Sequence, residues 1–154
     1  SVPSHLNVLL SQMENAIPSN KTNIANALHY SAEGITKRGL VIVISDLMDD
    51  TDKIINGLRH LRHKGHEVIV FHIIDNDEAN FNFQERIKFI DKETKEEITT
   101  DPWHISKDYI KLFHSYCETL KRGCGYNKIE YVPINTKQPL DIALTELILK
   151  RKNY

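Results

Sequence analysis

Leu40-Val41-Ile42-Val43-Ile44 is apolar at every position, and Val68-Ile69-Val70-Phe71-His72-Ile73-Ile74 is apolar at all but one. A half-buried strand alternates apolar and polar side chains. An unbroken apolar run predicts a strand covered on both faces, which is the rule in parallel sheets. A helix is predicted between the two runs. Asp50 or Thr51 is placed to cap it, Ile54, Ile55, Leu58 and Leu61 form its inner stripe, and Gly65 suits the position just past its end. Together these segments form a β-α-β unit of about 35 residues, enough for a crossover between parallel strands. The fold class is therefore α/β, with helices around a mostly parallel sheet.

Working outward, Leu6, Leu9, Leu10, Met13 and Ile17 fall at helical spacing, and Pro18-Ser19-Asn20 breaks the chain after them. Thr22 is placed to cap a second helix, with Ile24, Ala27, Leu28, Ala32 and Ile35 on one face. Downstream, residues 86–91 and 96–100 flank a charged turn and predict a small β-hairpin insertion. Pro102 opens a helix with Ile105, Tyr109, Leu112, Phe113, Tyr116 and Leu120 as its stripe, ended by Gly123. Ile129 to Ile134 is a third strand, and its Pro133 predicts a less buried place. A last helix begins near Pro139 and ends in Lys150-Arg151-Lys152, where basic residues suit the helix dipole.

The 154 residues fit one domain, without repeats or low-complexity stretches. The 20 basic and 21 acidic residues leave a net charge of -1, which argues against a nucleic-acid partner or an anionic membrane. At 27% charged and 40% hydrophobic, the composition is that of a globular chain rather than a disordered one. The longest apolar run has five residues, Leu40 to Ile44, far below the ~20 needed to span a bilayer. No secretory signal pattern is present, so a cytoplasmic location is expected. Cys117 and Cys124 are the only cysteines and read as free thiols in a reducing compartment. The chain starts at Ser1 rather than Met, which reads as a trimmed protein or an excised piece of one.

Ligands of open α/β sheets bind at the carboxyl ends of the strands. Asp46, Asp49 and Asp50 follow the first strand, and Asp75, Asp77 and Glu78 follow the second. Acids so placed either hold a hard cation such as Mg²⁺, with Thr22 supplying a hydroxyl, or cap helices and solvate loops. His60, His63 and His66 recur every third residue, but Arg59, Arg62 and Lys64 interleave with them, and a solvated helix end is the reading. His72, inside a strand, reads as a hydrogen-bonded core histidine. No nucleophile elbow, phosphate-binding glycine loop or His-Glu-x-x-His motif occurs.

Three stretches taken together resemble a known family. Thr22 to Leu28, TNIANAL, is similar to a segment of von Willebrand factor A domains. Gly39 to Asp50, GLVIVISDLMDD, resembles the strand that ends in their metal-site aspartate. Arg62 to Asp77, RHKGHEVIVFHIIDND, with Glu78, Phe81-Asn82-Phe83 and the later Thr136-Lys137-Gln138-Pro139-Leu140 and Ala143-Leu144, looks like one bacterial subgroup. That subgroup is the domain-of-unknown-function family fifty-eight (DUF58), whose genes neighbour MoxR-type AAA ATPases. The resemblance covers nearly the whole chain.

It implies a Rossmann-like, three-layer von Willebrand factor A-type fold and a metal-ion-dependent adhesion site. Thr22 and Asp46 match two ligands of that site. The Asp-x-Ser-x-Ser segment of the family does not occur in this sequence. Residues 1–154 are therefore expected to be a single, incomplete domain, lacking the first strand and that segment. No metal or other cofactor is expected here, although the full-length protein would take Mg²⁺ or another divalent cation. Without a neighbour, the strand at Leu40–Ile44 would have an open edge, and a homo-oligomer through that edge is expected.

The leading functional reading is a non-enzymatic protein-protein interaction module whose partner, as the resemblance implies, is a MoxR-type ATPase or another protein of a cell-envelope or assembly pathway. One rival is a metal-dependent hydrolase using Asp46, Asp49, Asp75 and Asp77, which requires carboxylates converging on one or two ions. The other is a degenerate scaffold without a metal site.

Overall fold

The computed structural model describes residues 3–17, 23–81, 87–90, 97–100 and 102–152. Its elements run α1 (Pro3–Glu14), α2 (Ile24–Gly34), β1 (Leu40–Ser45), α3 (Thr51–His63), β2 (Glu67–Ile74), α4 (Asn76–Asn80), β3 (Ile87–Ile90), β4 (Glu97–Thr100), α5 (Pro102–Tyr126), β5 (Glu130–Asn135) and α6 (Leu140–Lys152). The sheet is parallel, in the order β1-β2-β5. Val43 pairs with Val70 across β1 and β2, and Phe71 with Val132 across β2 and β5. The hairpin insertion is present as the antiparallel pair β3-β4. The α/β class and the mostly parallel sheet thus stand as read.

The main core lies on one face of that sheet. Val43, Val68 and Val70 meet Leu28 and Ala32 of α2, Ile54, Leu58 and Leu61 of α3, and Leu120 and Cys124 of α5. Gly57 is what lets α2 and α3 approach, since a Cβ there would sit 2.8 Å from Cβ of Leu28 and 3.3 Å from the carbonyl oxygen of Ala25. Asp50 caps α3 by accepting from the Lys53 amide at 3.0 Å, and Gly65, with φ +89°, takes the left-handed position past its end.

The other face is the first correction. An apolar run such as Leu40–Ile44 predicts cover on both sides, yet Leu40 is 48%, Ile42 50% and Ile44 67% exposed. Helices α2, α3 and α5 all pack with the opposite face, and β1 is an edge strand, so alternate residues of one run meet different surroundings. A smaller cluster of Ile69, Phe71 and Ile134 forms farther along on this second face. The stripe of α1 is also exposed at Leu6, Leu9, Leu10 and Met13, and α6 exposes Leu140, Ile142, Ile148 and Leu149.

Smaller corrections have local causes. Asn23, not Thr22, caps α2, accepting from the Asn26 amide at 2.8 Å. Thr22 itself lies outside the described residues. On α2 it is Ala25 that is buried, while Ala27 and Ile35 are exposed, because the helix turns its Ala25-Leu28-Ala32 stripe toward α3. Gly123 does not end α5, which continues to Tyr126. It lies against Ile55, whose Cδ1 would be 2.3 Å from a Cβ at that position, so the glycine answers a close helix contact and not a helix end. Cys124 is therefore inside the helix and buried, and both cysteines are free, as the sequence suggested. Among the described residues, no helix is long and apolar enough to cross a membrane.

Candidate functional site at the carboxyl edge of the sheet

The edge is built from the loop after β1 and the turn after β2. In the first, the buried Leu47 folds back into the core with φ +54°. A positive φ is costly for a branched side chain, so something must hold this loop. The amide of Leu47 donates to Ser45 Oγ at 3.0 Å. From α5, the Tyr116 hydroxyl donates to the Leu47 carbonyl and lies 3.0 Å from that of Asp49. Beneath the loop, Nε2 of His72 lies 3.0 Å from the Asp46 carbonyl oxygen, while its Nδ1 meets the Tyr131 hydroxyl. A carbonyl only accepts, so Nε2 carries the proton and the Tyr131 hydroxyl donates to Nδ1.

His72 is thus the core histidine that its place in β2 suggested. It is 1% exposed, and burial pulls its pKa below the usual 6.5, against the opposing pull of the Asp46 carbonyl and carboxylate. Burial likewise pushes the Tyr131 phenol well up. Both groups stay uncharged at neutral pH, with Tyr131 orienting His72 and His72 holding the peptide of Asp46 from below. The Asp46 carboxylate remains exposed, and among the described residues it has only long contacts to Ser45 Oγ (3.3 Å) and the Met48 amide (3.4 Å).

The other acids are used locally. Asp49 accepts from the Asp50 amide at 2.7 Å, and Asp50 is the α3 cap. Asp75 caps α4 by accepting from the Asp77 amide at 2.8 Å and accepts from Thr136 Oγ1 at 3.2 Å. The Asp77 backbone hydrogen bond is the largest influence holding the Asp75 carboxyl below its usual range. Asp77 faces Lys137 at 3.6 Å. Glu78 is the exception: partial burial, then the charges of Asp75 and Asp46, push its pKa up. That joint influence puts the two strand-end loops in one electrostatic neighbourhood.

Of the two residues expected as metal ligands, Asp46 therefore stands at the strand end and Thr22 is outside the described residues. Among the described residues, no group of three or more His, Cys, Asp or Glu is placed to hold a metal ion. One carboxylate would leave Mg²⁺ mostly hydrated, so the residues in view do not by themselves make up a cation site.

Two apolar hollows flank α5 beside the edge. One, of about 450 Å³, is lined by Met48, Asp49, Tyr109, Leu112, Phe113 and Tyr116. The other, of about 260 Å³, includes Ile74, Ala79, Phe113, Cys117 and Pro133. Burial raises the pKa of the Cys117 thiol, which keeps it protonated and a poor nucleophile. Sequence reading missed the two tyrosines that pin the loop. The only available signal was that Tyr116 lies on the apolar stripe of α5 and Tyr131 alternates inward on β5, where a buried hydroxyl needs a partner.

The sequence profile described as "Protein of unknown function DUF58" matches residues 2–113. No curated protein and no solved structure matches the chain.

Proposed function

The chain belongs to the DUF58 family, and from that premise we propose that it is a non-enzymatic protein-protein interaction module that works through the carboxyl edge of its sheet. The observation that carries this reading is the Asp46 loop. Its backbone is pinned from two sides by His72 and Tyr116, while its carboxylate is left facing solvent. A fold that commits the buried His72 and the half-buried Tyr116 to one loop holds that loop in place for contact. The apolar hollow at Met48, Leu112 and Phe113 lies beside it and offers area for a partner.

The partner in this proposal is a MoxR-type ATPase of the bacterial cytoplasm. In the full domain, Asp46 and Thr22 would contribute to a Mg²⁺-type adhesion site whose remaining ligands are not in this sequence. We further propose that copies of the chain associate through the open β1 edge, whose Leu40, Ile42 and Ile44 are exposed.

The test is co-purification of the MoxR-type ATPase encoded beside the full-length protein, with Mg²⁺ or with EDTA. Asp46→Ala is expected to abolish capture, and EDTA to mimic it. Capture that survives both would overturn the reading. EDTA-sensitive phosphatase or nuclease turnover would favour the hydrolase alternative.

A further inference from the structure

The three histidines spaced along α3 and its end go to three places. His66 is 1% exposed, His63 is exposed, and His60 turns toward α2. There the Nδ1 of His60 lies 3.0 Å from the Nδ1 of His29. The ring centroids are 5.3 Å apart with planes at 49°, so the rings meet at their nitrogen edges and do not stack. On its far side, Nε2 of His60 lies 3.0 Å from Oε1 of Glu33, and the other oxygen of Glu33 meets Lys64 Nζ at 3.0 Å.

We infer that His29 and His60 form a binding site for one divalent transition cation of the Zn²⁺, Ni²⁺ or Cu²⁺ class, bridging α2 and α3, with Glu33 as the positioning residue for His60. The hydrogen-bond chemistry sets this up. A carboxylate only accepts, so the Glu33 contact keeps a proton on Nε2 of His60 and leaves the Nδ1 lone pair of the neutral ring facing His29. Without a cation, His29 fills the gap by donating its own Nδ1–H. On binding, His29 moves that proton through water to its exposed Nε2. Both rings stay neutral, and two Nδ1 lone pairs face one ion.

The spacing suits the ion. With bonds of about 2.0–2.1 Å, two nitrogens on a tetrahedral ion are about 3.3 Å apart, and cis nitrogens on a square-planar one about 2.9 Å. The observed 3.0 Å lies between these, so the nitrogen spacing already suits an ion, and capture needs the two rings to rotate until their lone pairs converge off the N–N line. Lys64 could oppose it, but its charge is held against Glu33. Imidazole ligands select this class over Mg²⁺ and Ca²⁺. Because no third His, Cys, Asp or Glu converges among the described residues, water fills the other positions, and binding is weaker than at a closed structural zinc site.

The experiment is calorimetric titration of the 154-residue chain with Zn²⁺, repeated with Mg²⁺. One Zn²⁺ per chain is expected, displaced by Ni²⁺, with no Mg²⁺ signal. His29→Ala and His60→Ala should each lose at least tenfold in affinity. Glu33→Gln should lose roughly 10–100-fold, as loss of a carboxylate behind a ligating histidine does. His63→Ala should bind as the parent does. Far-UV circular dichroism of each variant establishes that it is folded. As a measurement needing no variant, ¹⁵N spectra of the histidine rings should show Zn²⁺ shifting His29 and His60. No Zn²⁺ binding, shifts at other histidines, or unchanged affinity in both alanine variants would overturn the site, and unchanged affinity in Glu33→Gln would overturn the role of Glu33.

Discussion

The two faces of the β1-β2-β5 sheet are made of the same residue types but meet different surroundings. On the face toward α2, α3 and α5, Val43, Val68 and Val70 are buried with Leu58, Leu61 and Leu120 in one continuous cluster. On the opposite face, the cluster among the described residues is limited to Ile69, Phe71 and Ile134 with two partly buried neighbours, and β1 leaves Leu40, Ile42 and Ile44 exposed. The hydrophobic effect acts on area removed from water and not on residue type, so the covered face holds this chain together while the open face is available for contact.

The sharpest way to break this contrast is Leu58→Ala. Leu58 is fully buried between the helices and the sheet, and its loss should cost about 2–5 kcal/mol through lost transfer energy and a cavity. The midpoint of urea unfolding reads this directly. Tyr131→Phe comes next. It leaves Nδ1 of buried His72 without its donor, and a cost of about 1–3 kcal/mol is expected in the same measurement.

The third effect is one of pH. His72 has a folded pKa below its usual 6.5, so between the two values the unfolded chain binds more protons. The stability tied to neutral His72 is therefore complete above pH 6.5 and falls as the pH drops through that value toward the folded pKa. Urea midpoints measured along a pH series should decline in this window, and His72→Gln should flatten that part of the decline.

The smallest effect on folding belongs to the open face. Ile44→Lys, at a position 67% exposed, should change stability by no more than about 0.5 kcal/mol. If β1 pairs between copies, the same substitution should nevertheless lower the mass seen by light scattering at high protein concentration. A stability loss as large as that of Leu58→Ala would mean that the two faces are not different after all.

Much of the architecture was legible residue by residue. The Leu40–Ile44 and Val68–Ile74 runs marked strands, and Asp50 and Gly65 marked the ends of α3. Pro133, by contrast, suggests that β5 is the least buried strand, and β1 is in fact more exposed. Misreadings arose where a local signal had a second physical meaning. Gly123 reads as a helix stop, but it is the space that Ile55 of α3 occupies. His66 reads as part of a solvated helix end, but the turn at Gly65 carries it inward, where both ring nitrogens lack a hydrogen-bond partner within the described residues. The short helix α4 leaves no trace in the pattern, because five residues are too few for periodicity to show.

For the site, position was legible and support was not. That Asp46 and Asp75 stand at strand ends follows from where the apolar runs stop. That His72, Tyr116 and Tyr131 hold the Asp46 loop depends on β5 lying beside β2 and on α5 crossing the end of β1.

The sequence by itself therefore determined the elements, the α/β class and the acidic edge, since periodicity, capping and chain breaks act over a few residues. Only the tertiary structure decided which face of the sheet is covered, which tyrosine meets which carbonyl, and that His29 meets His60. Those contacts join residues 31 to 69 positions apart. Their geometry is set by strand register and helix packing, which no local pattern encodes.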